Sequence, residues 1–279
     1  MGQPNPLHAM WSTVAPSWDR YADFIDDRGA GVTQAMLSAV DVQPGDRVLE
    51  LGCGPGGLGI AAAKLVGTEG RVVLSDVSPE MAAIAAERAE RLGLRNVDAR
   101  QLDMEHIDAA DSSFDKVFSR EALMLVADPT AAAREALRVL RSGGGAAFSV
   151  WGPPTANPWL SALLDAVGSQ LGAPVPPPGV PGPFSLSAPG ALATVLTDAG
   201  FDGVDVREVD ATMHVASLDE WWEIVPSLAG PVAALLASLP DDVRSAIRDQ
   251  GESVLTGYAA QTGYAIPGKC LVGVGRAAV

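Results

Sequence analysis

Three carboxylates and one glycine-rich turn mark where chemistry could occur in this chain. In Val48-Leu49-Glu50-Leu51-Gly52-Cys53-Gly54-Pro55-Gly56-Gly57, an apolar run ends in a glycine turn that leads straight into an alanine-rich stretch. Glycine there lets the backbone turn sharply and lets a ligand approach the main chain. Gly52, Gly54 and Gly57 also satisfy the GxGxxG spacing of nicotinamide and flavin enzymes, so the turn alone does not choose a ligand. Glu50 helps to choose. An anion two residues before the first glycine is unhelpful near a pyrophosphate, but it suits a ligand carrying an ammonium and a sulfonium. Asp76 closes the next apolar run, where a carboxylate can accept both hydroxyls of a ribose, a feature a nicotinamide enzyme would share. Asp103-Met104 follows the third expected strand, where a carboxylate can accept from an adenine amino group while Met104 packs against the ring. One terminal carboxylate is a helix cap or a solvated turn; three in register argue for a ligand.

The elements that must position these groups alternate. Strands are expected at residues 47–51, 71–75, 97–101, 115–119 and 146–150, and helices at 57–66, 79–93 and 129–141. Ser78 is the expected N-cap of the second helix, with Pro79 at its first position and Gly93 as its stop. Glycines 143–145 close the third helix. Such alternation predicts an α/β fold, a parallel sheet covered by helices on both faces. After Val150 the rhythm breaks into a helix at 157–171, a proline- and glycine-rich connector at 172–190 and a helix at 189–200. A long strand at 203–215, a mainly helical stretch at 217–261 and a final strand at 269–276 complete the chain. Breaks in the helical stretch are expected near Pro226, Gly230 and Pro240. Trp11, Val14, Trp18, Tyr21 and Ile25 recur at spacings of three and four, which places them on one face of a helix before the sheet. That face packs on the body, covers the active site or forms a dimer contact. The organisation read from these patterns is an N-terminal helical cover (1–40), an α/β body (41–216 and 263–279), and a helical lid or substrate lobe (217–262).

Composition narrows the partners. Hydrophobic residues make up 48% and charged residues 19% of 279, which allows an extensive core. Acidic side chains outnumber basic ones 34 to 19, for a net charge of -15, and the arginines are scattered, so nucleic acid is not an expected partner. Cys53 and Cys270 are read as reduced thiols, and no metal-ligating constellation is expected from them. No apolar stretch reaches the about 18 residues of a membrane span, and the N-terminus lacks signal-peptide features. The expectation is a soluble, cytoplasmic protein with a small-molecule substrate, and a homodimer remains open.

The runs VLELGCGPGG, LSDVSPEM, QLDMEHI and LRSGGGAAFSVWG together resemble class I S-adenosylmethionine-dependent methyltransferases. The branch they look most like holds ubiquinone- and menaquinone-biosynthesis enzymes and many natural-product methyltransferases. WSTVAPSWDRYADF and YAIPGKCLVGVGR look like that branch too, although the resemblance is specific only over 47–150. It implies a Rossmann-like sheet of seven strands, with the last strand antiparallel and inserted beside the sixth. It also implies S-adenosylmethionine as cofactor, with S-adenosylhomocysteine as product. Glu50 would then lie near the methionine ammonium, with Gly52, Gly54 and Gly56 lining the methionine portion. Asp76 would hold the ribose, Val77 and Met81 would sit against the nucleoside, and Asp103 and Met104 would read adenine. Arg120 would face the methionine carboxylate or the substrate, or form only a surface ion pair. Tyr21 joins the cofactor-binding set. The quinone enzymes' own sequence after the fourth strand is not reproduced by Ser119-Arg120-Glu121-Ala122, so a quinone substrate is not implied.

If the acceptor is a phenol, enol or acidic carbon, a general base would help remove its proton. His8 and His214 are the candidates; His106 reads as a polar turn residue, and Tyr21 and Glu121 are weaker choices. Trp151, Trp159, Phe184, Trp221, Trp222, Tyr258 and Tyr264 fall outside the cofactor motifs and could line an apolar acceptor pocket or form lid core. The leading expectation is methyl transfer to an oxygen, carbon or nitrogen of a small, mostly apolar molecule of secondary or quinone-like metabolism. Alternatives are a non-methylating enzyme such as a cyclase, a nicotinamide oxidoreductase, and an adenosyl-ligand sensor.

Overall fold

The computed structural model describes residues 6–279, with side chains from Met10 onward. Two helices, α1 (Pro6–Arg20) and α2 (Ala22–Ala39), precede the sheet. Then follow β1 (Arg47–Leu51), α3 (Gly57–Val66), β2 (Arg71–Asp76), α4 (Pro79–Arg91), β3 (Val97–Gln101) and β4 (Phe114–Arg120). Next come α5 (Pro129–Val139), β5 (Leu140–Trp151), α6 (Pro158–Leu171), α7 (Ala191–Ala199), β6 (Asp202–Asp210) and β7 (Met213–Val215). The chain ends through α8 (Leu218–Leu228), α9 (Pro231–Ser238), α10 (Asp241–Leu255), β8 (Tyr264–Ile266) and β9 (Lys269–Arg276).

Seven strands form one sheet in the order β3-β2-β1-β4-β5-β9-β6, with β9 antiparallel to both of its neighbours. The first four strands pair in parallel, and Val48, Leu49 and Leu51 of β1 are sealed on both faces. Continuous burial is why that segment reads as an unbroken apolar run. Edge strand β6 carries Asp202, Asp205, Arg207, Glu208 and Asp210, charges that discourage further strand pairing. Strand order reverses between β1 and β4. Ligands of open α/β sheets bind beyond the carboxyl ends of the strands at such a switch point. The expected α/β, Rossmann-like sheet is therefore the observed one. Among the described residues, no helix is long and apolar enough to cross a membrane.

Four local expectations are corrected. The aromatic N-terminal face is divided between two helices that meet at Tyr21, because α1 docks on α4 and α8 while α2 docks on α3 and the sheet. β5 starts at Leu140, with glycines 143–145 inside the strand; the register against β4 shifts between Phe114 and Lys116 to absorb them. The long sixth strand stops at Asp210, opposite Lys269 at the start of β9, where its partner runs out. The chain then re-pairs as β7 with β8 in a separate two-stranded ribbon. Finally, Pro226 lies inside α8, which is anchored by buried Trp221, Ile224 and Val225 and continues to Leu228.

Candidate active site

At the end of β1, Glu50 is almost completely buried, and its Oε2 accepts the Gly59 N–H at 2.8 Å. That N–H belongs to the first turn of α3, where the helix dipole also favours an anion. Burial nevertheless pushes the Glu50 carboxyl up to about 7, against the opposing pull of Arg120 and the Gly59 N–H. Asp76, at the end of β2, accepts the Gly54 N–H through Oδ2 and the Ser78 N–H through Oδ1, each at 2.9 Å. One carboxylate thus ties the glycine turn to the start of α4. Ser78 caps that helix by accepting the Met81 N–H at 3.2 Å, as the Ser-Pro signal predicts. Asp103 is half-buried beyond β3 and accepts the Glu105 N–H at 2.9 Å. With Val77 and Gln101 it lines a cleft of about 320 Å³. Met104 turns inward to the glycine turn. A Cβ at Gly52 would lie 3.0 Å from Met104 Cε and 2.5 Å from Ala122 Cβ, and φ there is 63°, so only glycine fits.

The N-terminal helices close over this turn. The Trp18 ring lies 3.4 Å from where a Gly54 Cβ would stand, and its Nε1 donates to the Leu228 carbonyl at 3.2 Å. Asp26 reaches the start of α3, where a Cβ at Gly57 would fall within its carboxylate. Arg88 donates to Asp26 at 2.7 Å and to the Pro55 carbonyl at 2.7 Å. Arg120 approaches Asp26 at 3.4 Å and donates to Thr33 Oγ1 at 2.8 Å. Its side chain is only 7% exposed, so Arg120 is an interior link between β4 and α2, not a surface ion pair.

Glu50, Gly52, Gly54, Gly56, Asp76, Val77, Asp103, Met104 and Arg120 therefore gather around the ends of β1 to β4. Met81 is buried under α1 against Val14, Ala15 and Trp18. Tyr21 lies apart from this group: its hydroxyl donates to Glu223 of α8 at 2.8 Å, and burial and that contact raise its pKa. His214 is exposed on the β7–β8 ribbon, outside the main sheet. His8 falls in α1, but its side chain lies outside the described residues. His106 is exposed beside Asp103. Among the described residues, no group of three His, Cys, Asp or Glu side chains could hold a metal ion.

Sequence reasoning missed a second cluster, across the switch point. Arg28 of α2 places its guanidinium 3.6 Å from the centroid of the Trp159 ring and 4.5 Å from that of Trp151. The two indoles form a corner, with centroids 5.0 Å apart at 64°. Buried Asn157 fixes Trp159 by accepting its Nε1–H at 3.1 Å, and Trp221 donates to the Trp159 carbonyl at 2.7 Å. Trp221 is thus core, as is the rest of this support. Glu121, just past β4, has φ of 59°, and its Oε1 accepts from the Cys270 thiol at 3.5 Å. Burial pushes that thiol's pKa up and keeps it neutral. A signal for Arg28 did exist. It extends the spacing of Trp18, Tyr21 and Ile25 by three more residues, so a cation stands on an apolar stripe.

Residues 43–159 match a family model described as a methyltransferase domain. The chain is 32% identical over 248 residues to nocamycin O-methyltransferase of Saccharothrix syringae, a match covering 78% of this chain and 88% of that one. It is 34% identical over 161 residues to the ubiquinone/menaquinone biosynthesis C-methyltransferase UbiE of Xanthomonas oryzae. That second match covers 56% of this chain and only 62% of the relative. Among solved structures, the YcgJ protein of Bacillus subtilis superposes with a TM-score of 0.59 at 17% identity, over 88% of this chain and 98% of that one. The [4+2]-cyclase SpnF does so with 0.55 at 19%, over 96% of each. These two likenesses show the fold alone, which serves more than one chemistry. The O-methyltransferase match, spanning most of both chains, decides further: the chain belongs to the S-adenosylmethionine-dependent methyltransferases, and S-adenosylmethionine is its cofactor.

Proposed function

We propose that the protein methylates an oxygen of a small, mostly apolar organic acceptor in secondary metabolism. The observation that carries the cofactor side is the set of carboxylates at the ends of three successive strands, Glu50, Asp76 and Asp103, around one glycine turn. Such a set fits a ligand that is cationic at one end and a nucleoside at the other. In this reading Asp76 holds ribose hydroxyls, Asp103 reads adenine in the cleft it borders while Met104 packs inward toward the glycine turn, and Glu50 balances an ammonium. Oxygen is favoured as acceptor because the O-methyltransferase relative matches well beyond the cofactor half, whereas the UbiE match covers only 56% of this chain.

When bound, S-adenosylmethionine supplies a methyl group that its sulfonium has already made electrophilic. The chain must hold the acceptor in line and keep water out. The described N-terminal helices α1 and α2 and residues 217–262 suit a cover for that purpose. Trp18 of α1 and Tyr21 just beyond it bond to α8, and Asp26 fastens α2 to the glycine turn through Arg88 and to β4 through Arg120. The test is incubation with S-adenosylmethionine and a panel of phenols, enols and carboxylic acids, following S-adenosylhomocysteine and the methylated product. Product with oxygen acceptors supports the reading. Cofactor binding without turnover on the panel, or tight binding of NADH instead, would sink it.

A further inference from the structure

The cluster at the ends of β4 and β5 has features that methyl donation does not explain. Arg28 Nε and Nη2 are buried and have no hydrogen-bond partner. In a guanidinium these two nitrogens form its side-on edge, whose parallel N–H bonds match the two oxygens of a carboxylate or a delocalised enolate. A buried donor pair left unmade is costly, and native proteins rarely tolerate it without a use. Its setting is rigid. Trp159 is pinned by Asn157, which also accepts the Lys269 N–H at 3.0 Å, so the ring beneath the guanidinium cannot easily swing away. Glu121, whose charge favours the Arg28 cation, is engaged with the Cys270 thiol and is held with a left-handed backbone. A non-glycine residue in that conformation is strained, and such strain concentrates at functional sites. Burial lowers the Arg28 pKa to about 10, which still leaves it cationic at neutral pH.

We infer that the side-on edge of Arg28, backed by Trp151 and Trp159, binds an anionic group of the acceptor, a carboxylate or enolate carried on a flat apolar body. The indoles hold the guanidinium in place, and its free edge receives the charge. The inference rests on the reading of this site as that of a small-acceptor methyltransferase, and it names the acceptor's chemical class.

The full chain, saturated with S-adenosylhomocysteine, is titrated calorimetrically with 2-naphthoate and with its neutral isostere 2-naphthamide. The wild type binds naphthoate about tenfold tighter than the amide. Arg28→Met abolishes that preference, and Arg28→Lys, which keeps the charge but loses the fork, retains part of it. S-adenosylhomocysteine affinity stays within about twofold of wild type in both variants, which also shows that they fold. Equal affinity for the two probes, no binding of naphthoate, or a preference that survives in Arg28→Met overturns the inference. Loss of S-adenosylhomocysteine binding in both variants overturns it too, by assigning Arg28 to the cofactor. A wild type that binds no S-adenosylhomocysteine defeats the methyltransferase reading itself, whereas cofactor binding without anion preference defeats only the acceptor class.

Discussion

Around the ends of β1, β2 and β3 the chain sets Glu50, Asp76 and Asp103 about a glycine turn. Beyond the ends of β4 and β5 it sets Arg28 against two indoles, with Arg120 between the two regions. The first region is acidic and made from residues close in sequence. The second carries a buried cation and is made from α2, β4, β5, α6 and β9. Their difference teaches how one crevice can hold two ligands of opposite need. On the proposed reading, a cationic cofactor is drawn to carboxylates at one side of the switch point, and an anionic acceptor to a guanidinium at the other. Arg120 and Asp26 pair at the seam, which limits repulsion between like charges on either flank.

The hardest test of this division is Asp76→Ala. The substitution removes the acceptor of the Gly54 and Ser78 N–H groups and, on the proposed reading, leaves the ribose without its partner. Charge-assisted hydrogen bonds are each worth about 1.5–3 kcal/mol, so S-adenosylhomocysteine affinity is expected to fall about 100-fold. Calorimetry checks it. Affinity within threefold of wild type would mean that the acidic side does not hold the nucleoside, and the comparison would break.

Glu50→Gln sharpens the same side through pH. The folded Glu50 carboxyl sits at about 7 against an ordinary 4.5 because it is buried. A raised folded pKa contributes stability that is fully present below pH 4.5 and is lost as pH climbs through 7. The loss is about 3 kcal/mol from a shift of roughly two and a half units. Glutamine keeps an acceptor for the Gly59 N–H and has nothing to ionise. Melting curves of the unliganded variant should coincide with wild type near pH 4.5 and lie several degrees higher at pH 8. Cofactor affinity should behave oppositely. In the wild type it rises between pH 6 and 8 as Glu50 ionises beside a cation, and in the variant that rise disappears. Parallel pH profiles for the two proteins would show that Glu50 does not sense the ligand.

The acidic region was legible in the sequence because its logic is local. β1, α3, β3 and β9 lie where the apolar runs and glycines put them, and Ser78 caps α4 as expected. The antiparallel place of β9 came through resemblance, since nothing in residues 269–276 alone specifies a partner. The arginine corner was not legible. Trp151 and Trp159 stood out as aromatics, but only folding brings α2 across the sheet to set Arg28 on them. The bend at Tyr21 and the division of the sixth strand were hidden for a similar reason: each is decided by what the segment docks against, not by its own pattern. Arg28, lying on an apolar helical stripe, was the one local clue.

Backbone conformation gives the comparison its finest test. On the cofactor side every left-handed residue of the turn is a glycine, at 52, 54 and 56, so the bend there carries little strain. On the acceptor side the left-handed residue after β4 is Glu121, whose N–H donates to the Ser149 carbonyl at 2.9 Å and holds it there. Glu121→Gly removes the backbone strain but also adds freedom to the unfolded chain, so stability should change by no more than about 1 kcal/mol, upward. Chemical denaturation reads that change. The same variant loses the carboxylate that engages Cys270 and favours the Arg28 cation, so naphthoate binding should shift while S-adenosylhomocysteine binding does not. A glycine that changed neither stability nor anion binding would mean that Glu121 is an incidental kink. A small gain in stability together with altered anion binding would show that the fold tolerates strain on the acceptor side because the Glu121 charge tunes the guanidinium.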